Sequence, residues 1–237
     1  VMKPFIALTG SVAEDISSTT DAMSSEVTIA ICPAPLSAGF PFEAAANVAA
    51  LVARIAQDSP HLDVSGQSYP DMPTPTSIGA MADYANRDAI VKKGCSTVDL
   101  VAGKYKIQDL VTTYHPAGET PPQFRYVRNL LLDFNVRYGY YLLEQTNVVD
   151  HVIANDADIV SASKVIKPKQ WKQILFNYFE SLVNRGLVVE ASFSQTSLQV
   201  GLSTTNPDRL ETSFRYKRSG IARIASTTAE AGFNFGT

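Results

Sequence analysis

Cysteine is nearly missing from this chain: Cys32 and Cys95 are the only two among 237 residues. So distant a pair offers neither a disulfide framework nor metal-ligand spacing, and two buried free thiols are the expectation. Histidine is almost as scarce. His61, His115 and His151 stand apart on loops or element ends, with no HExxH or comparable spacing. The chain also lacks GxxxxGK[ST], GxGxxG and GxSxG, which withdraws support from ATP, dinucleotide and serine-hydrolase chemistry. Its longest apolar run, LVVEASF, is broken by Glu190 and falls far short of the roughly 18 residues that mark a membrane span. The opening VMKPFIALTG has no basic region followed by a sufficient apolar core, so no secretory leader is expected.

What is present is a chain with 45% hydrophobic residues, ordinary for a folded domain, and a net charge of -3. That charge is unevenly spread. Up to Ile90 ten acidic residues face only Lys3, Arg54 and Arg87, about -7, which leaves about +4 for the remainder. The cations of the second part are dispersed and carry no interleaved aromatic platforms, so direct nucleic-acid binding is not expected. Acidic and basic ends can instead attract each other between subunits.

The first 25 residues, ending in EDISSTTDAMSSE, read as an opening loop, and regular structure is expected after them. Val27, Ile29 and Ile31 alternate as a strand stopped by Pro33 and Pro35. In FEAAANVAALVARIA, Val48, Leu51, Val52 and Ile55 predict a helix. The proline-rich residues 57–77 form a long irregular segment. NRDAIVKKG closes a second helix, with Lys92, Lys93 and Gly94 as C-terminal signals. CSTVDLV and KYKIQDLVTTY predict a hairpin around Ala102 and Gly103. A long, mostly buried helix is predicted from about Gln123 to Gln145, and another from KPKQ to NRG with a stripe of Trp171, Ile174, Leu175, Tyr178, Leu182 and Val183. After Gly186 the pattern turns to strands: LVVEASF, SLQVGLST, and an extended tail after NPDR. The fold class is α+β, close to α/β, with a mixed sheet packed against several helices.

Candidate chemistry is thin. His115 in YHPAGE has no partner visible in sequence, Asp63 and Asp71 match no calcium-loop pattern, and Cys95 in GCSTVDL reads as a small residue opening a strand. No catalytic, cofactor-binding or metal-binding residue is assigned. The alternative from another class is an α/β enzyme with a site near His115 and the 57–77 loop. In ETSFRYK, by contrast, Thr212, Phe214 and Tyr216 share one face of an extended strand with no obvious partner in its own chain, a pattern suited to strand addition on a neighbour's sheet.

Taken in colinear order, AICPAP with its alanine-rich helix, NRDAIVKKGCSTVDLVAGKYKIQDLVTTYHP, the long helix, WKQILFNYFESLVNRGLV and NPDRL resemble a contractile phage tail sheath protein, from about Val27 to the end. The resemblance implies a non-enzymatic subunit without cofactors. It implies hexameric rings stacked helically around an inner tail tube, with baseplate and tail terminator proteins as further partners and no membrane insertion. The subunit would be assembled in the host cytoplasm, reside in the virion and drive genome ejection by contraction. Residues 1–25 would then be an opening segment, 26–206 the conserved sheath core and 207–237 the linking arm. Thr212, Phe214, Tyr216, Ile221, Arg223 and Ile224 match the strand exchanged between subunits, and Lys169 and Lys172 match a tube-facing helix. The other structural alternative is a tube or baseplate component.

Overall fold

The computed structural model describes residues 4–118, 123–223 and 226. In chain order the elements are β1 (Ala7–Ser11), α1 (Ser17–Asp21), β2 (Ile29–Pro33), α2 (Pro41–Asp58), a 3-10 turn (Gly79–Ala82), α3 (Tyr84–Lys92), β3 (Thr97–Val101) and β4 (Lys104–Asp109). They continue with α4 (Val127–Asn147), β5 (Val152–Ile153), β6 (Val165–Ile166), α5 (Pro168–Asn184), β7 (Val188–Val189), α6 (Ala191–Ser197), β8 (Gln199–Leu202), β9 (Leu210–Ser213) and β10 (Lys217–Arg218). The class is mixed α and β, as expected. The single mixed sheet is not formed: among the described residues the strands pair as five two-stranded sheets, β1–β2 and β5–β6 parallel, β3–β4, β8–β9 and β7–β10 antiparallel. Strands of two to six residues separated by long helices are too short to extend a common sheet.

Among the described residues two apolar centres hold the fold together. The first surrounds α2, whose Ala44, Val48, Leu51, Val52 and Ile55 are buried at the predicted spacing against β2, the β3–β4 hairpin and the 57–77 segment. The second surrounds α5, where Trp171, Leu175, Phe179 and Leu182 are almost fully enclosed with Leu132, Val136 and Leu187. Helix α4 spans both, since Val127 belongs to the first centre while Leu132 and Val136 belong to the second. Its contact with α5 is close at Gly139. A Cβ there would stand 2.6 Å from the Tyr178 hydroxyl, which donates to the Val136 carbonyl at 2.6 Å.

Several expectations are corrected. The opening segment is not a loop throughout. Residues 7–11 form β1, which runs parallel to β2 from Ala7↔Ile29 to Ser11↔Pro33, and α1 follows. ALTGS lacks the alternating apolar pattern because β1 is a partly exposed edge, and Gly10 is there for space: a Cβ would lie 1.6 Å from the Pro41 carbonyl oxygen. Helix α4 begins at Val127 rather than Gln123, because Tyr126 is still extended and bridges to Val111, while the Arg125 carbonyl accepts from the Thr112 N–H. Nor is it mostly buried, as Tyr138 and Leu142 are 58% and 46% exposed. LVVEASF is not one strand. Glu190 adopts a left-handed φ of 55° that ends β7 and opens α6.

The hairpin turns at Ala102 (φ 50°) and Gly103 (φ 71°), the two consecutive positive φ values of a type I′ turn. The 57–77 segment lies along this hairpin, bridged at Ser68↔Lys106, with the buried Tyr69 hydroxyl donating to the Pro33 carbonyl at 2.7 Å.

Candidate assembly interface

The C-terminal strands were expected to want a partner, and up to residue 218 they find one at home. β9 pairs with β8 from Leu210↔Leu202 to Ser213↔Gln199, and β10 pairs with β7. The alternating face then meets the second apolar centre. Thr212 Oγ1 accepts from Trp171 Nε1 at 3.0 Å. The Phe214 ring lies 5.1 Å from Phe179 and 5.4 Å from Tyr140, centroid to centroid. The Tyr216 hydroxyl donates to Asp133 Oδ1 at 2.8 Å. Arg215 and Lys217, on the other face, are exposed.

Asp133 is the hinge-pin of this packing, a carboxylate only 5% exposed on α4. Besides Tyr216 it accepts from Arg218 Nε at 2.8 Å and Nη2 at 2.5 Å, a two-point fork that satisfies both oxygens. The hydrogen bonds to Asp133 hold the Arg218 guanidinium above its ordinary range, against the cost of burial. Burial and the same carboxylate push the Tyr216 phenol well up, so it stays a donor.

Beyond β10 the tail crosses back to the first apolar centre through two further arginines. Arg128, buried on α4, donates to the His61 carbonyl from Nε at 3.1 Å and Nη2 at 2.8 Å, to the Ser219 carbonyl from Nη1, and to Ser219 Oγ at 2.8 Å. Burial lowers its pKa, as it does for any cation removed from water. Arg223 reaches Asp63 with Nη2, Asp109 with Nη1 at 2.7 Å and Ser65 Oγ at 3.3 Å, and its Cζ sits 3.8 Å from the Tyr126 ring centroid. Burial raises the Asp109 pKa and nearby Asp63 adds to the rise, while Arg223 and Arg125 pull it down. Ile221 and Arg223 line a groove of about 770 Å³ together with Tyr84, Arg87, Asp88 and Val91 of α3. Ile221 is exposed, and Ile224 lies outside the described residues.

Lys169 and Lys172 both project to solvent from the first turns of α5. The Lys169 backbone N–H donates to Asp156 Oδ1 at 2.9 Å, which caps the helix, and Lys172 Nζ lies 5.7 Å from the Phe176 ring. The residues weighed for an enzyme do not gather. His115 is tied to the Thr113 carbonyl at 2.7 Å and Asp21 at 3.0 Å, and joins α1 to the segment after β4. Asp71 binds Asn47 through its backbone. Burial pushes the Cys32 thiol up to about 12 and the Cys95 thiol up to about 11. Among the described residues no three His, Cys, Asp or Glu side chains converge as metal ligands.

Asp63, Asp109, Tyr126, Arg128 and Asp133 were missed as partners of the tail. Asp133 did leave a signal, since it stands inside LLLDF on a helix that must bury that side. Nothing in the sequence marks Asp63 or Asp109.

No protein-family model matches the chain, and no curated protein matches it in sequence. Solved structures do. A chain of the cryo-EM structure of the anti-feeding prophage baseplate superposes with a TM-score of 0.62 at 13% identity, over 96% of this chain and 60% of that one. The sheath tail protein of Desulfitobacterium hafniense gives 0.54 at 12% identity, over 84% and 47%. A chain of an extracellular contractile injection system, the PVC sheath complex in its contracted state, gives 0.57 at 10% identity, over 91% and 59%. The chain therefore has the fold of contractile sheath proteins, and it spans roughly half to three fifths of the length of these structures.

Proposed function

We propose that the chain is a structural, non-enzymatic subunit of a contractile phage tail sheath, which polymerises on itself around an inner tube and contracts to drive that tube through the host envelope. The observation that carries this reading is the likeness to chains of contractile assemblies over 84–96% of the chain. Open edges on short two-stranded sheets fit it, because each presents unpaired backbone groups to a neighbour's strand. In this reading the sheath core carries an arm that links subunits in stacked hexameric rings. Thr212, Phe214 and Tyr216 seat the base of that arm in its own subunit, whereas Ile221, Arg223 and Ile224 lead into the exchanged part. Lys169 and Lys172 face the tube, and baseplate and terminator proteins close the ends of the stack. The particle is a virion tail assembled in the host cytoplasm. A head-to-tail link that does not close on itself generates such a stack. Contraction is rigid subunits re-docking while the links hold.

The baseplate origin of one matched structure favours a second reading, a sheath-like ring at the baseplate end. Negative-stain microscopy with sedimentation over a concentration series separates these. Stacked rings or tubes with a bore wide enough for another tube support the sheath, and single rings that never stack support the baseplate. A monomer at every concentration contradicts both.

A further inference from the structure

We infer that Asp63, Asp109 and Tyr126 form a socket for Arg223 that fixes the point where the C-terminal segment leaves its subunit, which makes Arg223 a positioning residue for assembly. The consequence for assembly rests on the sheath reading above; the socket itself rests on geometry. Its three walls come from three elements that precede the tail: Asp63 from the segment after α2, Asp109 from the end of β4, and Tyr126 from the strand-like lead into α4. The Asp63 side chain is 6% exposed and that of Arg223 23%. With one guanidinium the site bridges two carboxylates and covers a ring, a combination that a planar fork achieves and an ammonium does not. Without Arg223, two partly enclosed carboxylates would face each other, with Asp88 adding repulsion and Arg125 the remaining attraction for Asp109.

Four residues earlier, Arg128 holds Ser219, whose hydroxyl donates to the Gly186 carbonyl at 2.6 Å. Gly220, Ile221 and Ala222 run exposed between these two holds. The tail is thus tethered twice, at Ser219 and at Arg223. A strand launched from a fixed point reaches a neighbour's sheet at higher effective concentration and with less ordering cost than one released at residue 210.

Hydrogen exchange of the dilute full chain, read on the peptide that covers β10 and Ser219, whose N–H donates to the Leu187 carbonyl, tests the socket. Arg223→Ala is expected to speed exchange there about tenfold, Arg223→Lys to fall between it and wild type, and Asp109→Asn to loosen the same peptide from the other side. Circular dichroism checks that each variant is folded, and Asp109→Asn serves if Arg223→Ala is not. Exchange unchanged in both variants overturns the socket. For positioning, the concentration at half-assembly is expected to rise about tenfold in Arg223→Ala and to recover in part in Arg223→Lys. If exchange rises but assembly is unaltered, the positioning role is overturned and the socket remains. A chain ended after Arg223 that assembles as well as the intact one refutes the strand-link reading, and the positioning role with it, while the exchange result still decides the socket.

Discussion

Phe214→Ala distinguishes a tail that belongs to its own subunit from one that merely visits it. The ring is half-buried, with Phe179, Tyr140 and Tyr216 at centroid distances of 5.1, 5.4 and 6.4 Å. Deleting a fully enclosed phenylalanine costs about 3–5 kcal/mol. Half burial lowers this and loss of ring pairing restores part of it, so about 2 kcal/mol is expected. For a chain of this size that is a fall in Tm of about 4–8 °C. The assay is denaturant and thermal unfolding of the dilute chain by circular dichroism, with Arg215→Ala as control on the exposed face of the same stretch. A loss below about 0.5 kcal/mol in Phe214→Ala, matching the control, would show that the stretch does not pack at home and would refute the reasoning.

Other outcomes follow from neighbouring sites. Asp133→Asn removes the charge that Arg218 and Tyr216 share, and about 3 kcal/mol of stability should go with it in the same unfolding assay. Gly10→Ala forces backbone apart from backbone at Pro41, so a loss of about 3 kcal/mol or non-native packing of β1 is expected, read from near-ultraviolet dichroism and Tm. Asp109 has its folded pKa raised, chiefly by burial, so the folded state binds this proton more readily than the unfolded state. Its contribution is therefore most favourable below about pH 4, where an unfolded aspartate titrates, and is lost as pH rises through the folded pKa. Denaturation midpoints across that window should be flatter with pH in Asp109→Asn than in wild type. At about pH 8, Cys32 and Cys95 should resist a thiol reagent until the protein unfolds, because both thiols are held neutral by burial.

The elements legible in the sequence were those whose own periodicity is complete. Val48, Leu51, Val52 and Ile55 mark α2, and Trp171, Leu175, Tyr178 and Leu182 mark α5, because each helix buries one clean face. The hairpin was legible from its two strand-like runs around Ala102 and Gly103. β1 was hidden because an exposed edge needs no apolar alternation, and α6 because Glu190 breaks LVVEASF through its backbone conformation rather than its side chain.

At the tail, alternation in ETSFRYK announced correctly that one face wants burial, but alternation carries no address. The address is written in Trp171, Asp133 and Phe179, between about 35 and 83 residues away, and only folding brings them together. The same holds for Arg223, whose partners Asp63 and Asp109 sit on loop and strand ends with no local signature.

The most direct test of the sheath account compares the intact chain with one ended after Arg223, by sedimentation velocity and electron microscopy over the same concentration series. Both should be equally folded, since every hold on the tail up to Arg223 is kept. Rings or tubes are expected from the intact chain and monomers from the shortened one. Assembly of both alike, or of neither, would contradict the sheath account.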